Sequence, residues 1–355
     1  MASITFFSDD AAVTLIEVAQ LRKVFRRPDK RPGLTGSVRH LVERKFVDKV
    51  AVDDIDLRID AGEAVAYVGP NGAGKSTTVK MLTGVLVPTS GTVHVEGRVP
   101  HKDRIANARR IGVVFGQRTQ LWWDLPVRDS LELLRDMHGL SDAEYGRNLE
   151  RLDATLGLAE LLPSMARKLS LGQRMRADLA AALIHRPPIV FLDEPTIGLD
   201  IAVKDKVRAF ARELVAEGTT VLLTTHDLGD IEDICKRIVI IDAGRIVYDG
   251  GIAAVLAEYA RERTMHFALA QAPTSLAPIG ARLPGAVVSE GPSASQVDVT
   301  FDPSVVSAGQ VLVAVQSEVE VVDIRIDEPA IQDVVRRMYA GELRDAPREG
   351  PDAPP

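Results

Sequence analysis

Apolar and polar positions alternate in different rhythms along the chain. Over 13–25, Leu15, Ile16 and Val18 form a mixed apolar run that predicts an opening strand. Residues 51–68 read as two strands turning at Gly62 and Glu63, the second being Ala64–Val68, and a helix is expected over 75–84. From 127 to 186 the spacing becomes helical, through Leu131, Leu134 and Met137 and then Leu179, Leu183 and Ile184. Beyond 187, strands at 189–193, 219–225, 237–242 and 245–249 alternate with helices near 203–217, 227–235 and 252–262. Such alternation predicts an α/β architecture with a mainly parallel sheet covered by helices.

Two stretches break the pattern. Residues 26–50 are rich in Arg and Lys (Arg26, Arg27, Lys30, Arg31, Arg39, Arg44, Lys45, Lys49), with Pro28, Pro32, Gly33 and Gly36. They read as a basic loop insertion with a short helix around 37–45. A composition shift at about 264 opens a region rich in Val, Ala and Ser. It holds β-like runs at Gln296–Phe301 and Val319–Ile326 and an amphipathic helix over 329–340 that starts at Pro329. The expected organisation is a main domain over 13–262, a small α+β accessory domain over 264–341, and a Pro- and charge-rich tail over 344–355 expected to be disordered.

Composition narrows the classes. The 355 residues are 46% hydrophobic and 26% charged, enough for a sizeable core. A net charge of −7 does not suggest general binding to nucleic acid, and none is expected as a partner. The one cysteine, Cys235, forms no internal disulfide, which suits a reducing compartment. No run approaches the roughly 18–20 apolar residues of a membrane helix, and the first residues lack a signal-peptide pattern.

The chemistry begins at Gly69-Pro70-Asn71-Gly72-Ala73-Gly74-Lys75-Ser76-Thr77, which satisfies G-x-x-x-x-G-K-[ST] between a strand and a helix. Glycines let backbone N–H groups turn around phosphate oxygens, and the helix N-terminus adds its dipole. Lys75 supplies charge to β- and γ-phosphates, and Ser76 offers a hydroxyl to Mg²⁺. The bland alternative is a glycine-rich turn with a chance lysine. Ile189-Val190-Phe191-Leu192-Asp193-Glu194-Pro195 is a buried strand ending in two carboxylates, where ligands sit in open α/β sheets. Asp193 is a candidate for holding Mg²⁺, and Glu194 for accepting a proton from an attacking water. Leu169-Ser170-Leu171-Gly172-Gln173 precedes an Arg- and Ala-rich helix. Ser170 is adequate there as a helix cap, or as part of a second anion site.

Taken in order, these segments, with Gln117, Ile197-Gly198-Leu199-Asp200 and Thr225-His226-Asp227, resemble the ATP-binding cassette ATPases over roughly 13–262. The resemblance implies a P-loop NTPase cassette: a RecA-like core, an antiparallel β subdomain and a helical subdomain over about 120–186, followed by the accessory domain. It implies ATP and Mg²⁺ as cofactors. Gln117 matches the glutamine joining core to helical subdomain, with roles at the metal and in catalysis. Ser170, Gly172 and Gln173 match the signature motif. Asp200 matches the aspartate at the dimer seam, and His226 the switch histidine that senses the γ-phosphate. Leu171 stands where the family commonly has glycine, and Ile-Gly replaces the commoner Ser-Ala before Leu199 and Asp200. The adenine-stacking aromatic is Phe25 or Phe46; Phe46 is favoured because it lies five residues before Ala51, and stacking needs a ring near the phosphate loop.

The same resemblance implies a head-to-tail cassette dimer, of this chain or with a sister cassette. It also implies a separate membrane-spanning permease, with peripheral association at the cytoplasmic face. Adjacent Trp122 and Trp123 follow the Gln117 segment and are expected to pack the helical subdomain or dock that partner. The segment Phe115–Pro126 and the run after Glu328-Pro329 resemble bacterial drug- and antibiotic-exporter subunits, so ATP hydrolysis coupled to export is expected. An importer subunit and a soluble cassette acting on ribosomes or nucleic acid are the alternatives. A chromosome-maintenance ATPase would need a long coiled coil before Ser170, and no sustained heptads occur there.

Overall fold

The computed structural model describes residues 13–28, 46–116, 118–259, 262–327 and 334–335. The chain divides between Asp249 and Gly250 into two units.

The first unit opens with two long strands, β1 (Thr14–Pro28) and β2 (Phe46–Asp60), paired antiparallel from Thr14 opposite Asp60 to Pro28 opposite Phe46. The core strand β3 (Ala64–Val68) and helix α1 (Lys75–Leu82) follow, and β4 (Ser90–Val95) returns to pair with β1, giving a sheet in the order β2-β1-β4. The ends of the basic insertion are therefore strand, not loop. Arg26 faces Asp48 and Arg27 faces Val47 across the hairpin. Hydrophobic reading missed this because residues 46–50 are all exposed, so no buried face imposes a period of two. The helix expected over 37–45 lies outside the described residues.

β5 (Ile111–Phe115), β6 (Ile189–Asp193), β7 (Thr220–Thr224), β8 (Arg237–Asp242) and β9 (Arg245–Gly251) join β3 in a six-stranded sheet ordered β5-β6-β7-β3-β8-β9. The pairs from β5 through β8 are parallel. β3 and β7 are buried at every residue, as expected of strands covered on both faces. One core joins this sheet to the antiparallel one: Ile16, Leu21, Ile55 and Ile59 pack with Tyr67, Met81, Phe191 and Ile241.

After the short α2 (Arg104–Ala108), the helical stretch resolves into α3 (Val127–His138), α4 (Asp142–Leu156) and α5 (Leu171–Leu183). Left-handed Gly139 and Gly157 stop α3 and α4. Ser141 with Glu144, and Ser170 with Gln173, start α4 and α5 as capping boxes. α6 (Ile201–Ala216) and α7 (Leu228–Ile234) alternate with the later strands.

The second unit starts with α8 (Ile252–Tyr259) and then runs β10 (Arg263–Leu269), α9 (Ala277–Arg282), β11 (Val287–Glu290), β12 (Gln296–Phe301), α10 (Ala308–Gln316) and β13 (Val321–Asp327). Its strands form an antiparallel sheet ordered β11-β12-β10-β13. Met265, Phe267, Val297, Val299 and Phe301 share one apolar face with Ile279, Val311 and Val315 of the helices. Of the helix expected over 329–340, only Val334 and Val335 are described, as helical and buried; the tail 344–355 lies outside the described residues. Among the described residues no helix is long and apolar enough to cross a membrane.

Candidate functional site

The phosphate loop leaves β3 and enters α1. Gly74, at φ +118°, is the residue before the helix, and a Cβ there would stand 2.5 Å from the Ala51 carbonyl oxygen. No side chain caps α1, so its N-terminus stays open toward the loop, as an anion site requires. Lys75 opens this helix and is buried. Its Nζ donates to the Gly69 carbonyl at 2.5 Å and, more weakly, to that of Pro70 at 3.4 Å. Burial pushes the Lys75 ammonium below the usual lysine value, against the opposing pull of Glu194 and then Asp193. A cation held against its own loop's carbonyls with too little solvent is primed to take up a phosphate. Asn71, Gly72, Ala73 and Thr77 complete the turn, with Ala73 N donating to Pro70 O and Thr77 N to Gly74 O.

β6 delivers the two carboxylates beside this loop. Asp193 Oδ1 accepts from Ser76 Oγ at 3.5 Å and also from Thr224 Oγ1 at the end of β7. Glu194 adopts φ +56°, a left-handed conformation uncommon for glutamate, and its N–H donates to Thr224 O at 2.9 Å. His226, just beyond β7, places Nδ1 2.5 Å from Glu194 Oε2. Lys75, Ser76, Asp193, Glu194 and His226 thus form one constellation at the C-terminal edge of the parallel sheet. Gly116 N donates to Asp193 O at 2.7 Å, which carries the end of β5 to the same edge. Gln117 itself lies outside the described residues.

The other phosphate-type residues lie elsewhere. Ser170 Oγ accepts from Gln173 N, while Gln173 Oε1 accepts from Ser170 N at 2.9 Å. An accepting hydroxyl keeps its own proton, so Ser170 is a cap and still a donor for an incoming phosphate. Gly172 packs against Val203 of α6, and Asp200 caps α6 through Val203 N at 3.0 Å. Signature and seam motifs are therefore neighbours. Their two departures from the family pattern meet: a Cβ on Gly198, at φ +71°, would stand 3.0 Å from Leu171 Cδ2. The large residue at 171 is matched by the small one at 198.

Strand pairing places Phe25 nearer than Phe46, along the strands, to the residue that touches the phosphate loop. Phe25 lies opposite Lys49, two residues from Ala51, whose carbonyl touches Gly74. Phe46 is five residues from Ala51, roughly 17 Å along an extended strand, and is 54% exposed. Lys23 Nζ sits 5.3 Å from the Phe25 ring centre.

The family profile described as ABC transporter matches residues 52–197. The chain is 33% identical over 231 residues to the ABC transporter ATP-binding protein NatA of Bacillus subtilis, spanning 65% of this chain and 92% of that one. The chain belongs to the ABC transporter family. Within it, this cassette is 38% identical over 221 residues to a daunorubicin resistance ATP-binding protein of Streptomyces coeruleorubidus, covering 62% of this chain and 70% of the relative. A solved ATP-binding subunit of an ABC transporter superposes with a TM-score of 0.58 at 28% identity, over 69% of this chain and 93% of that one. The cassette is an ATP-binding transporter subunit and an ATPase.

Among the described residues no group of three or more His, Cys, Asp or Glu is placed to hold a metal ion. The Ser76 hydroxyl and Asp193 carboxylate, joined by a hydrogen bond, nevertheless offer two hard oxygen donors beside the phosphate loop. That fits a Mg²⁺ ion whose other ligands are phosphate oxygens and water.

Sequence reasoning did not single out Asp178. This carboxylate on α5 is buried and accepts from Thr119 Oγ1 and Gln120 N, both at 2.8 Å. Burial raises its pKa above the usual aspartate value despite those bonds. One turn earlier, Arg174 lies 5.8 Å from the Trp123 ring centre. The segment that follows Gln117 is thus fastened to the signature helix at two points, four residues apart on one helix face.

Proposed function

We propose that this ATPase drives export, as one half of a cassette dimer bound to a separate membrane-spanning permease at the cytoplasmic face. The observation that carries the chemistry is the 2.5 Å pairing of Glu194 with His226, beside Lys75 and Asp193. The phosphate loop, Gly69 to Thr77, holds the nucleotide, and the Phe25 ring stacks on adenine. Glu194 takes the proton of the attacking water. His226 fixes that carboxylate through Nδ1, beside the position of the γ-phosphate. Lys75 follows the charge that develops on the transferring group. Ser76, Asp193 and Gln117 are the residues that would hold Mg²⁺, which neutralises phosphate charge when bound.

Ser170, Gly172 and Gln173 face the nucleotide of the other cassette, with Asp200 at the seam. This explains why one chain carries two anion-binding segments that share no contact with a single nucleotide. A solved dimeric bacterial ABC transporter cassette, 25% identical with a TM-score of 0.56, supports the dimer. ATP then favours the closed dimer and hydrolysis releases it. The fastening of Thr119, Gln120 and Trp123 to α5 carries that movement toward the partner. Trp122 and Trp123 are 39% and 50% exposed, adjacent large apolar side chains suited to docking. Export is supported by relatives named for daunorubicin resistance and for Nod factor export.

A tagged pull-down from gently solubilised native membranes tests this reading. Recovery of a polytopic membrane protein at about one to one is expected. Recovery with ribosomes or nucleic acid, and no membrane partner, would overturn the transport role.

A further inference from the structure

One carboxylate behind the hydrolytic site gathers three donors, two from the connections after β6 and β7 and one from α6. Asp230, on α7, has no solvent exposure. Its Oδ2 accepts from Thr196 Oγ1 and from Thr225 Oγ1 at 3.0 Å, and its Oδ1 accepts from Arg208 Nε at 2.6 Å. Two of the donors lie beside residues of the site, and the third is on the helix that the seam aspartate caps. Thr196 lies two residues after Glu194, Thr225 immediately precedes His226, and Arg208 stands on α6, the helix capped by Asp200. Arg208 also donates to Asp227 Oδ1 at 3.2 Å, and Lys204, one turn earlier on α6, donates to Asp227 Oδ2 at 2.7 Å.

We propose that Asp230 is a positioning residue for ATP hydrolysis, locking the turn after Glu194 to the strand end before His226 and both to the seam helix α6. Stability alone is a weak reason for this arrangement, since apolar replacements of buried ion pairs are often neutral or stabilising. A fully satisfied buried network instead specifies one geometry. Here the geometry specified is the 2.5 Å approach of His226 to Glu194. Because α6 shares the carboxylate, a displacement of Asp200 at the seam reaches both residues through Arg208. No side chain of the network needs to touch nucleotide for this to work.

The inference rests on the reading that Glu194 and His226 act on the γ-phosphoryl group. It is tested on the full chain with Thr196→Val, Asp230→Asn, His226→Ala and the double variant His226→Ala/Asp230→Asn. A fluorescent ATP analogue reports binding, and single-turnover phosphate release reports chemistry. Thr196→Val and Asp230→Asn should keep nucleotide affinity within about twofold and slow chemistry by about tenfold or more. Added to His226→Ala, Asp230→Asn should cost less than about twofold further, because its effect runs through the missing ring. Normal turnover in a folded variant, or the same fold loss in both backgrounds, would overturn the inference. Should Asp230→Asn not fold, Thr196→Val removes a single hydroxyl and decides through its own cycle with His226→Ala. Wild-type turnover by His226→Ala would instead remove the site reading itself.

Discussion

Acid should loosen the helical region of the cassette at a single pair of histidines. His138, at the end of α3, and His185, just after α5, stack with ring centres 3.8 Å apart and planes within 13°. His185 Nε2 lies 3.2 Å from the Ile111 carbonyl at the start of β5, so it carries the proton and donates. Its Nδ1 is buried without a partner, so a second proton there would find no acceptor. Burial first, and the charge on His138 second, press the His185 pKa down to about 3, against the Ile111 bond that favours the cation. The unfolded chain protonates this ring near 6.5. Below that pH the unfolded state binds the extra proton and the folded state does not. The stabilisation is therefore complete above about pH 6.5 and is lost as pH falls toward about 3. At pH 5.0 the loss is about 2 kcal/mol, from 1.5 pH units at 1.36 kcal/mol each. For a unit of this size that is a fall in Tm of roughly 4–8 °C. Melting curves at pH 7.5 and 5.0 should be compared for the wild type and His185→Gln. The glutamine keeps a donor for Ile111 but does not titrate, and His138 is common to both proteins. The wild type should lose more stability than the variant. Parallel losses would refute the reasoning.

Other consequences follow from the same geometry. Phe25→Ala should weaken ATP binding by about 1–3 kcal/mol in a nucleotide titration, while Phe46→Ala should leave it within about twofold. Asp178→Ala removes the shared acceptor of Thr119 Oγ1 and the Gln120 N–H and leaves a gap where a buried carboxylate stood, so it should lower stability by about 1–3 kcal/mol in denaturant melts. With the permease present it should also uncouple hydrolysis from transport. Gly198→Ala should destabilise by about 1–2 kcal/mol through its left-handed φ and the Leu171 contact. Leu171→Gly should recover only the contact part, a difference that melts of the single and double variants would read.

Much of the site was legible because its residues are contiguous. A strand, a phosphate loop and a helix stand in one run, and so do the apolar strand and its two carboxylates. What escaped depends on pairing between distant segments. Phe25 and Phe46 could be ranked only once β1 was aligned against β2, since the insertion between them hides the register. β4 is six residues long and half polar, and β5 is five residues with a glycine inside, which leaves too few positions for a period of two to show. Arg26 and Phe46–Val50 are exposed and carry several charges, a pattern shared with loops. Asp178 sits in an Arg- and Ala-rich helix that reads as a signature segment, and only the folded chain brings Thr119 and Gln120 onto it. Asp230 has the same character, for Thr196, Arg208 and Thr225 converge on it only in the folded chain.

The most direct measurement is on Glu194→Gln. The variant keeps the size and shape of the side chain but cannot accept the proton of the attacking water. In size-exclusion chromatography with Mg-ATP it should elute as a stable dimer, and its phosphate release should fall by at least about a hundredfold. The wild type under the same conditions should return to monomer as ATP is consumed. A Glu194→Gln cassette that hydrolyses ATP at the wild-type rate would contradict the assignment of the base, and one that stays monomeric while saturated with ATP would contradict a nucleotide-sandwich dimer of this chain.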